Sequence, residues 1–137
     1  MTRRLLIAFF VTGGLLAGGE AEDDITSVVS TLASALSANN PQLFLRTLDK
    51  AMPDYGKIAR DVNALATDTQ ISCSVDLIAI RGTEADLDWY MVLRSQQDQN
   101  LIERRRTKVT IQVERRGKHW VVTAFNPSSV FAPLKIR

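Results

Sequence analysis

The spacing of apolar residues changes once along this chain of 137 residues, near Gln70, and that change constrains the fold more than any other feature. Ahead of it, Ile25, Val28, Val29, Leu32 and Leu36 recur at three- and four-residue intervals, the period of a helix that buries one face. Asp23 or Asp24 is placed to cap its start, and Asn39 and Asn40 to stop it. Asn40 followed by Pro41 reads as the cap and first turn of a second helix, with Leu43, Phe44, Leu48, Ala51 and Met52 as its apolar stripe and Pro53 at its end. Asp54 is the expected cap of a third helix. There Tyr55, Ile58, Val62 and Leu65 share a face, leaving Lys57, Arg60, Asp61 and Asn63 to water.

Beyond Gln70 the period is two. Ile71, Cys73, Val75, Leu77 and Ala79 fall on one side of a strand and Ser72, Ser74 and Asp76 on the other, before Gly82 turns the chain. Leu87, Trp89, Met91 and Leu93 then alternate with Asp88, Tyr90, Val92 and Arg94, which predicts an antiparallel hairpin. After a polar loop at residues 95–100, a third strand points Val109, Ile111 and Val113 inward and Arg104, Arg106, Lys108, Thr110, Gln112 and Glu114 outward. It turns at Arg115, Arg116, Gly117 and Lys118. His119 to Phe125 is apolar on both faces, which predicts an inner strand covered on two sides, and Pro127 and Pro133 are expected to loosen the tail. Helices followed by strands in separate blocks make an α+β chain: three N-terminal helices packed on a curved antiparallel sheet of four strands or slightly more.

The first 21 residues read differently. Arg3 and Arg4 form a short positive start, Leu5 to Leu16 an apolar run, and Gly19 and Ala21 a small-residue cleavage pattern. These twelve residues, interrupted by Gly13 and Gly14, span about 18 Å as a helix, short of the ~30 Å hydrocarbon core, so a cleaved export signal (1–21) is expected rather than a permanent span, with a retained anchor as the alternative. No cysteine follows the apolar run, which excludes lipid attachment of the bacterial lipoprotein kind. The paired arginines keep twin-arginine export open beside the general route. The expected mature protein is one domain, residues 22–137, located in a periplasm or secreted. Cys73 is the single cysteine, so stability comes from packing and not from an internal disulfide.

Charge is unevenly spread. Glu22 to Asp88 carries 11 acids and 5 bases, whereas Trp89 to Arg137 carries 3 acids and 10 bases. Seven of those bases, Arg104, Arg105, Arg106, Lys108, Arg115, Arg116 and Lys118, suggest an anion patch at one end of two adjacent strands, with pairing to Asp76, Glu84, Asp86 and Asp88 as the simpler reading. Nucleic acid is disfavoured as a partner, because only Trp120 lies near the bases for stacking.

The element order, together with Met52-Pro53-Asp54-Tyr55, Leu87-Asp88-Trp89, Glu103-Arg104-Arg105-Arg106 and Lys118-His119-Trp120-Val121, resembles the nuclear transport factor two-like superfamily, over Asp24 to Pro133. The likeness is to small exported bacterial members with no assigned activity. It implies a half-open cone, a fold that often dimerises through its sheet face. Relatives of this shape include ketosteroid isomerase, scytalone dehydratase and SnoaL-type polyketide cyclases, which use carboxylates or histidines inside the cone, and also non-catalytic binding modules.

The inward positions named above contain no carboxylate and no histidine, so catalysis has no assigned residue and the first expectation is a non-enzymatic binding or interaction module. Its apolar pocket would be lined by Tyr55, Leu77, Trp89, Met91, Ile111 and Trp120, for a small apolar ligand. The alternative is a cone-type isomerase, dehydratase or cyclase using Asp88 or His119 with Tyr55 or Tyr90. His119 is the lone histidine and has no companions at ligand spacing; neither metal nor cofactor is expected. A strand bulge would reverse the parity on which these assignments rest.

Overall fold

A computed structural model describes residues 13–135 of the chain, with side chains from 22 onward. Three helices, α1 (Gly13–Ser37), α2 (Pro41–Arg46) and α3 (Tyr55–Asp68), precede four strands, β1 (Thr69–Arg81), β2 (Glu84–Ser95), β3 (Leu101–Arg116) and β4 (His119–Asn126), and a 3-10 turn at Ser128–Phe131. The strands form one antiparallel sheet in the order β1-β2-β3-β4. This is the α+β arrangement that the change of period predicts.

Each helix follows its stripe, with corrections at the ends. Ile25, Val28, Val29, Leu32 and Leu36 are all buried. Asp23 and Asp24 cap nothing, because α1 already runs from Gly13 through both of them. Residues 1–12 of the expected export signal lie outside the described residues, and among those described no helix is long and apolar enough to cross a membrane. The Asn40 side chain does cap α2, accepting from the Leu43 N–H at 3.1 Å. That helix is one and a half turns, shorter than the stripe to Met52 suggests, because Leu48 leaves it to form a parallel bridge with Val122 of β4. Asp54 precedes α3 with φ +66 and no capping bond, so its role is the left-handed turn and not the cap. Ile58, Val62 and Leu65 are buried as expected.

The sheet is closed by tight hairpins. Gly82 and Gly117 stand at the first position of two-residue turns with φ near +62 and +63, values that glycine takes without cost. Three register shifts, at Leu77/Ala79, Leu93/Arg94 and Gln112/Val113, bend the strands and reset which side chains face inward. The first puts Ala79 opposite Asp86 and Ile80 opposite Ala85, reversing the expected side for Ala79. The third brings Phe125 inward opposite Ile111 and turns Ala124 out. Thus β4 is not an inner strand. It ends the sheet, and its free edge is covered by residues 47–49, where Val122 N–H donates to Thr47 O and Asp49 N–H to Val122 O.

Helices and turn together cover one face of the sheet, and the core lies between. Leu87, Trp89, Met91 and Leu93 from β2 and Val109, Ile111 and Val113 from β3 are buried there as the alternation requires. The tail is not loose: Val130 and Phe131 are buried in the same core.

Candidate functional site

The alternation of β2 and β3 builds the centre of the inner face. Trp89 points into it and is fully buried. Phe125 and Phe131 stand edge-on to its ring system, with centroids 5.2 and 5.8 Å away, and Phe131 meets Phe44 of α2 in the same manner at 5.3 Å. Edge-to-face packing of this kind adds about 0.5–1.5 kcal/mol per pair beyond burial. The interior is therefore filled by the chain's own aromatic side chains. One polar atom remains inside: the Trp89 Nε1 is the buried side-chain nitrogen or oxygen among the described residues that has no hydrogen-bond partner.

The mouth beside this cluster holds a feature the sequence reading overlooked. Glu103 and Arg105 share the parity of Val109 and Ile111, so they lie on the inner face, with side chains only 12% and 9% exposed. Arg105 Nε donates to Glu103 at 2.6 Å, and its two other nitrogens donate to the carbonyls of Val130 at 2.8 Å and Pro133 at 3.1 Å. The Lys135 N–H donates to Glu103 at 3.2 Å. Burial pushes the Glu103 carboxyl up, but the bonds from Arg105 and the Lys135 amide outweigh it and hold it below the usual range. The expectation of an inner face without a carboxylate is thus corrected. This carboxylate is spent on fastening the C-terminal segment, and is no free base. Extending the Val109–Ile111–Val113 alternation six residues backward is the signal that would have found it.

The residues expected to line one pocket do not converge on it. Trp89, Met91 and Ile111 are packed in the core. Trp120 lies at the sheet's far end, its Nε1 donating to Asp24 of α1 at 3.0 Å. Leu77 is 37% exposed near the β1 edge, and Tyr55 is half-buried at the start of α3. Nor do the four alternative catalytic groups meet. Asp88 and Tyr90 share a shallow hollow of about 210 Å³ with Ser74, Asp76 and Arg106, but on the outer face of the sheet. Arg106 grips Asp88 through Nε at 3.1 Å and Nη2 at 2.6 Å, which lowers the Asp88 pKa, the reverse of what a general base requires. His119 is exposed beside Arg116, eight β3 residues from the partner of Asp88, about 26 Å away along the strand.

The seven bases also separate. Arg104, Arg106 and Lys108 line the outer face opposite Val92, Tyr90 and Asp88, and Arg105 turns inward. Arg115, Arg116 and Lys118 lie at the other end of β3, with Arg116 held by Asp49 at 2.7 Å and Glu114 at 2.6 Å. Two groups about 30 Å apart replace the single patch. Asp86 is likewise paired: Arg81 and then Thr110 draw its pKa down to about 2. Cys73 is half-buried, and burial pushes its thiol up to about 12, which leaves it a packing residue and not a nucleophile.

No family model matches the chain, and no curated protein matches it. Solved structures do match. A function-unknown protein from Mycobacterium tuberculosis superposes with a TM-score of 0.67 at 7% identity, over 85% of this chain and 75% of that one. A protein from Novosphingobium aromaticivorans named as a candidate scytalone dehydratase gives 0.61 at 10% identity, over 81% and 85%. An uncharacterised protein with a cystatin-like fold from Caulobacter vibrioides gives 0.56 at 14%, over 81% and 94%. The fold is that of the cystatin-like cone proteins. At these identities the likeness is one of fold alone, and the function must be argued from the site.

Proposed function

We propose that this chain is a non-enzymatic binding module that admits a small apolar guest, carrying one hydrogen-bond acceptor, to the interior of its cone when the C-terminal segment moves aside. The observation that carries the reading is the fully buried Trp89 Nε1 without a partner. A donor left unmet in the interior costs about 1–3 kcal/mol, and such groups in native folds call for an explanation. An acceptor on a guest, a ketone oxygen for example, would satisfy it among Phe44, Phe125 and Phe131. The closing segment is fastened by Arg105 and Glu103, and Phe131 is the side chain a guest would displace. The isomerase or dehydratase alternative has less support, since Asp88 and Tyr90 face outward and Glu103 is paired.

The test is a thermal-shift screen with apolar ketones, lipids and steroids, read also by fluorescence of a Trp120→Phe variant whose emission comes from Trp89. A guest at one hundred times its Kd should add about 2.7 kcal/mol of stability and shift the Trp89 emission saturably. If Phe131→Ala binds such compounds and the wild-type chain binds none, the interior is simply a sealed core and the reading falls.

Export belongs to the same proposal. Among the described side chains, Ile25 is the first of α1 in the core, which fits a mature chain that begins at Glu22. N-terminal sequencing of the processed protein is expected to begin at Glu22; retention of the first residues would replace the leader with an anchor.

A second reading is favoured by the outer face. Acids on β1 and β2 (Asp76, Glu84, Asp86, Asp88) lie beside bases on β3 (Arg104, Arg106, Lys108). A second copy rotated about an axis parallel to β2 would set each column against its opposite, so a homodimer through this face would dissociate with added salt in sedimentation experiments. A salt-independent monomer would dismiss it.

A further inference from the structure

The two edges of the sheet are treated differently. The β4 edge is covered by residues 47–49, whereas the β1 edge is covered only along its first half. There the Ile71 N–H donates to Asn39 Oδ1 at 2.9 Å, the Asn39 amide donates to Thr69 O at 2.7 Å, and Ser37 Oγ accepts from Cys73 N–H at 2.9 Å and lies 3.1 Å from Cys73 O. Two side chains from the end of α1 thus stand in for a missing strand. The pattern also shows which residues turn their backbone groups outward: Thr69, Ile71 and Cys73. By the two-residue period of a strand, Val75 and Leu77 are next, up to the bulge, and no described group bonds to the outward side of either.

Past Ser37 a hollow of about 270 Å³ opens between α1 and this edge, lined by Thr26, Ser30 and Ser34 on the helix and Val75, Asp76 and Leu77 on the strand. Leu77 and Ile78 are 37% and 53% exposed, among the largest apolar exposures described. Unpaired strand groups beside exposed aliphatic side chains are the setting in which an extended chain adds as a further strand.

We infer that the Val75–Leu77 edge accepts an extended peptide segment as a fifth strand, with apolar residues facing Val75 and Leu77 and a lysine or arginine opposite Asp76. Asp76 selects the occupant. It enters none of the ion pairs or hydrogen bonds among the described residues, and it faces Asp88 directly across β1 and β2; Arg106, bonded to Asp88, reaches Asp76 only as a nearby charge and not in direct contact. A cationic residue on the added strand supplies the direct partner. The same carboxylate disfavours a second copy: in the antiparallel register that uses both Val75 and Leu77, Asp76 would oppose Asp76 of the other copy.

The test uses the capped synthetic peptide Val-Thr-Val-Lys-Val-Thr-Val and its counterpart with glutamate at the centre, followed by NMR of the full chain. The lysine peptide is expected to slow hydrogen exchange at the Val75 and Leu77 amides and to bind about tenfold tighter than the glutamate peptide, and Asp76→Lys, an exposed substitution, is expected to invert that order. Three results would overturn the inference: no change at those amides at millimolar peptide, a preference untouched by Asp76→Lys, or concentration-dependent protection of the same amides without peptide, which would make a second copy the occupant.

Discussion

The two faces of strands β2 and β3 are written by the same alternating residues and behave as opposites. Inward, Leu87, Trp89, Met91, Val109 and Ile111 are sealed from water, and even the charged pair Glu103–Arg105 is covered by the C-terminal segment. Outward, Asp88 and Arg106 form an ion pair and share with Tyr90 a shallow hollow open to solvent, with Lys108 opposite Asp88 on β3. The same chemical contact, a guanidinium on a carboxylate at 2.6 Å, therefore has different consequences on the two sides. On the inside it fastens a segment whose removal exposes apolar surface, and outside it is screened by water and salt.

Urea unfolding of variants on each face measures how far the two differ. The largest effect is expected from Phe131→Ala, which empties the aromatic cluster against Trp89 and Phe44 and should cost about 3–5 kcal/mol in urea unfolding. An effect under about 1 kcal/mol would mean that the tail is not part of the core. Arg105→Ala should cost about 2–3 kcal/mol, because Glu103 is left covered without its partner and two tail carbonyls lose their donor. Limited proteolysis should then cut within residues 127–135. The paired Glu103→Gln, Arg105→Met variant should regain part of the loss.

Acid should act on both faces. Asp49, Asp86, Asp88 and Glu103 titrate lower in the folded chain than unfolded, with Asp86 near 2. Between about pH 4 and pH 2 the unfolded chain therefore binds more protons, so the stability these groups provide is complete above their unfolded pKa values and is lost as pH falls through the folded ones. A urea midpoint that is flat from pH 5 to 7 and falls below pH 4 is expected, whereas a midpoint that rises on acidification would contradict the pairings. The smallest effect is expected from Asp88→Asn. Its partner Arg106 is well exposed, and the urea midpoint should not move beyond replicate scatter. A shift as large as that of Arg105→Ala would abolish the distinction between the faces.

Much of this contrast is legible in the chain itself. Leu87, Trp89, Met91 and Leu93 announce their side by alternation, as do Ile58, Val62 and Leu65 by helical spacing, because burial of a periodic stripe is decided locally. The bulges were not legible. Nothing local marks Ile78 or Thr123 as the extra residue, and each moves its neighbours to the other face, as it does for Ala79 and Phe125. The candidate site was half visible. Trp89 was placed inside, but its companions Phe44, Phe125 and Phe131 come from a helix, a strand and a tail far apart in the chain, and their meeting is a tertiary event.

What the sequence alone determined is the class of the protein, three helices and then an antiparallel sheet with one oily face, because the period of apolar residues is a property of neighbours along the chain. Contacts between distant segments set the rest: the oily face is closed by Phe131, Glu103 and Arg105 work as a fastening, and the β1 edge stays open past Cys73. Each of those depends on which distant segment arrives to cover a given surface, and local spacing holds no record of that.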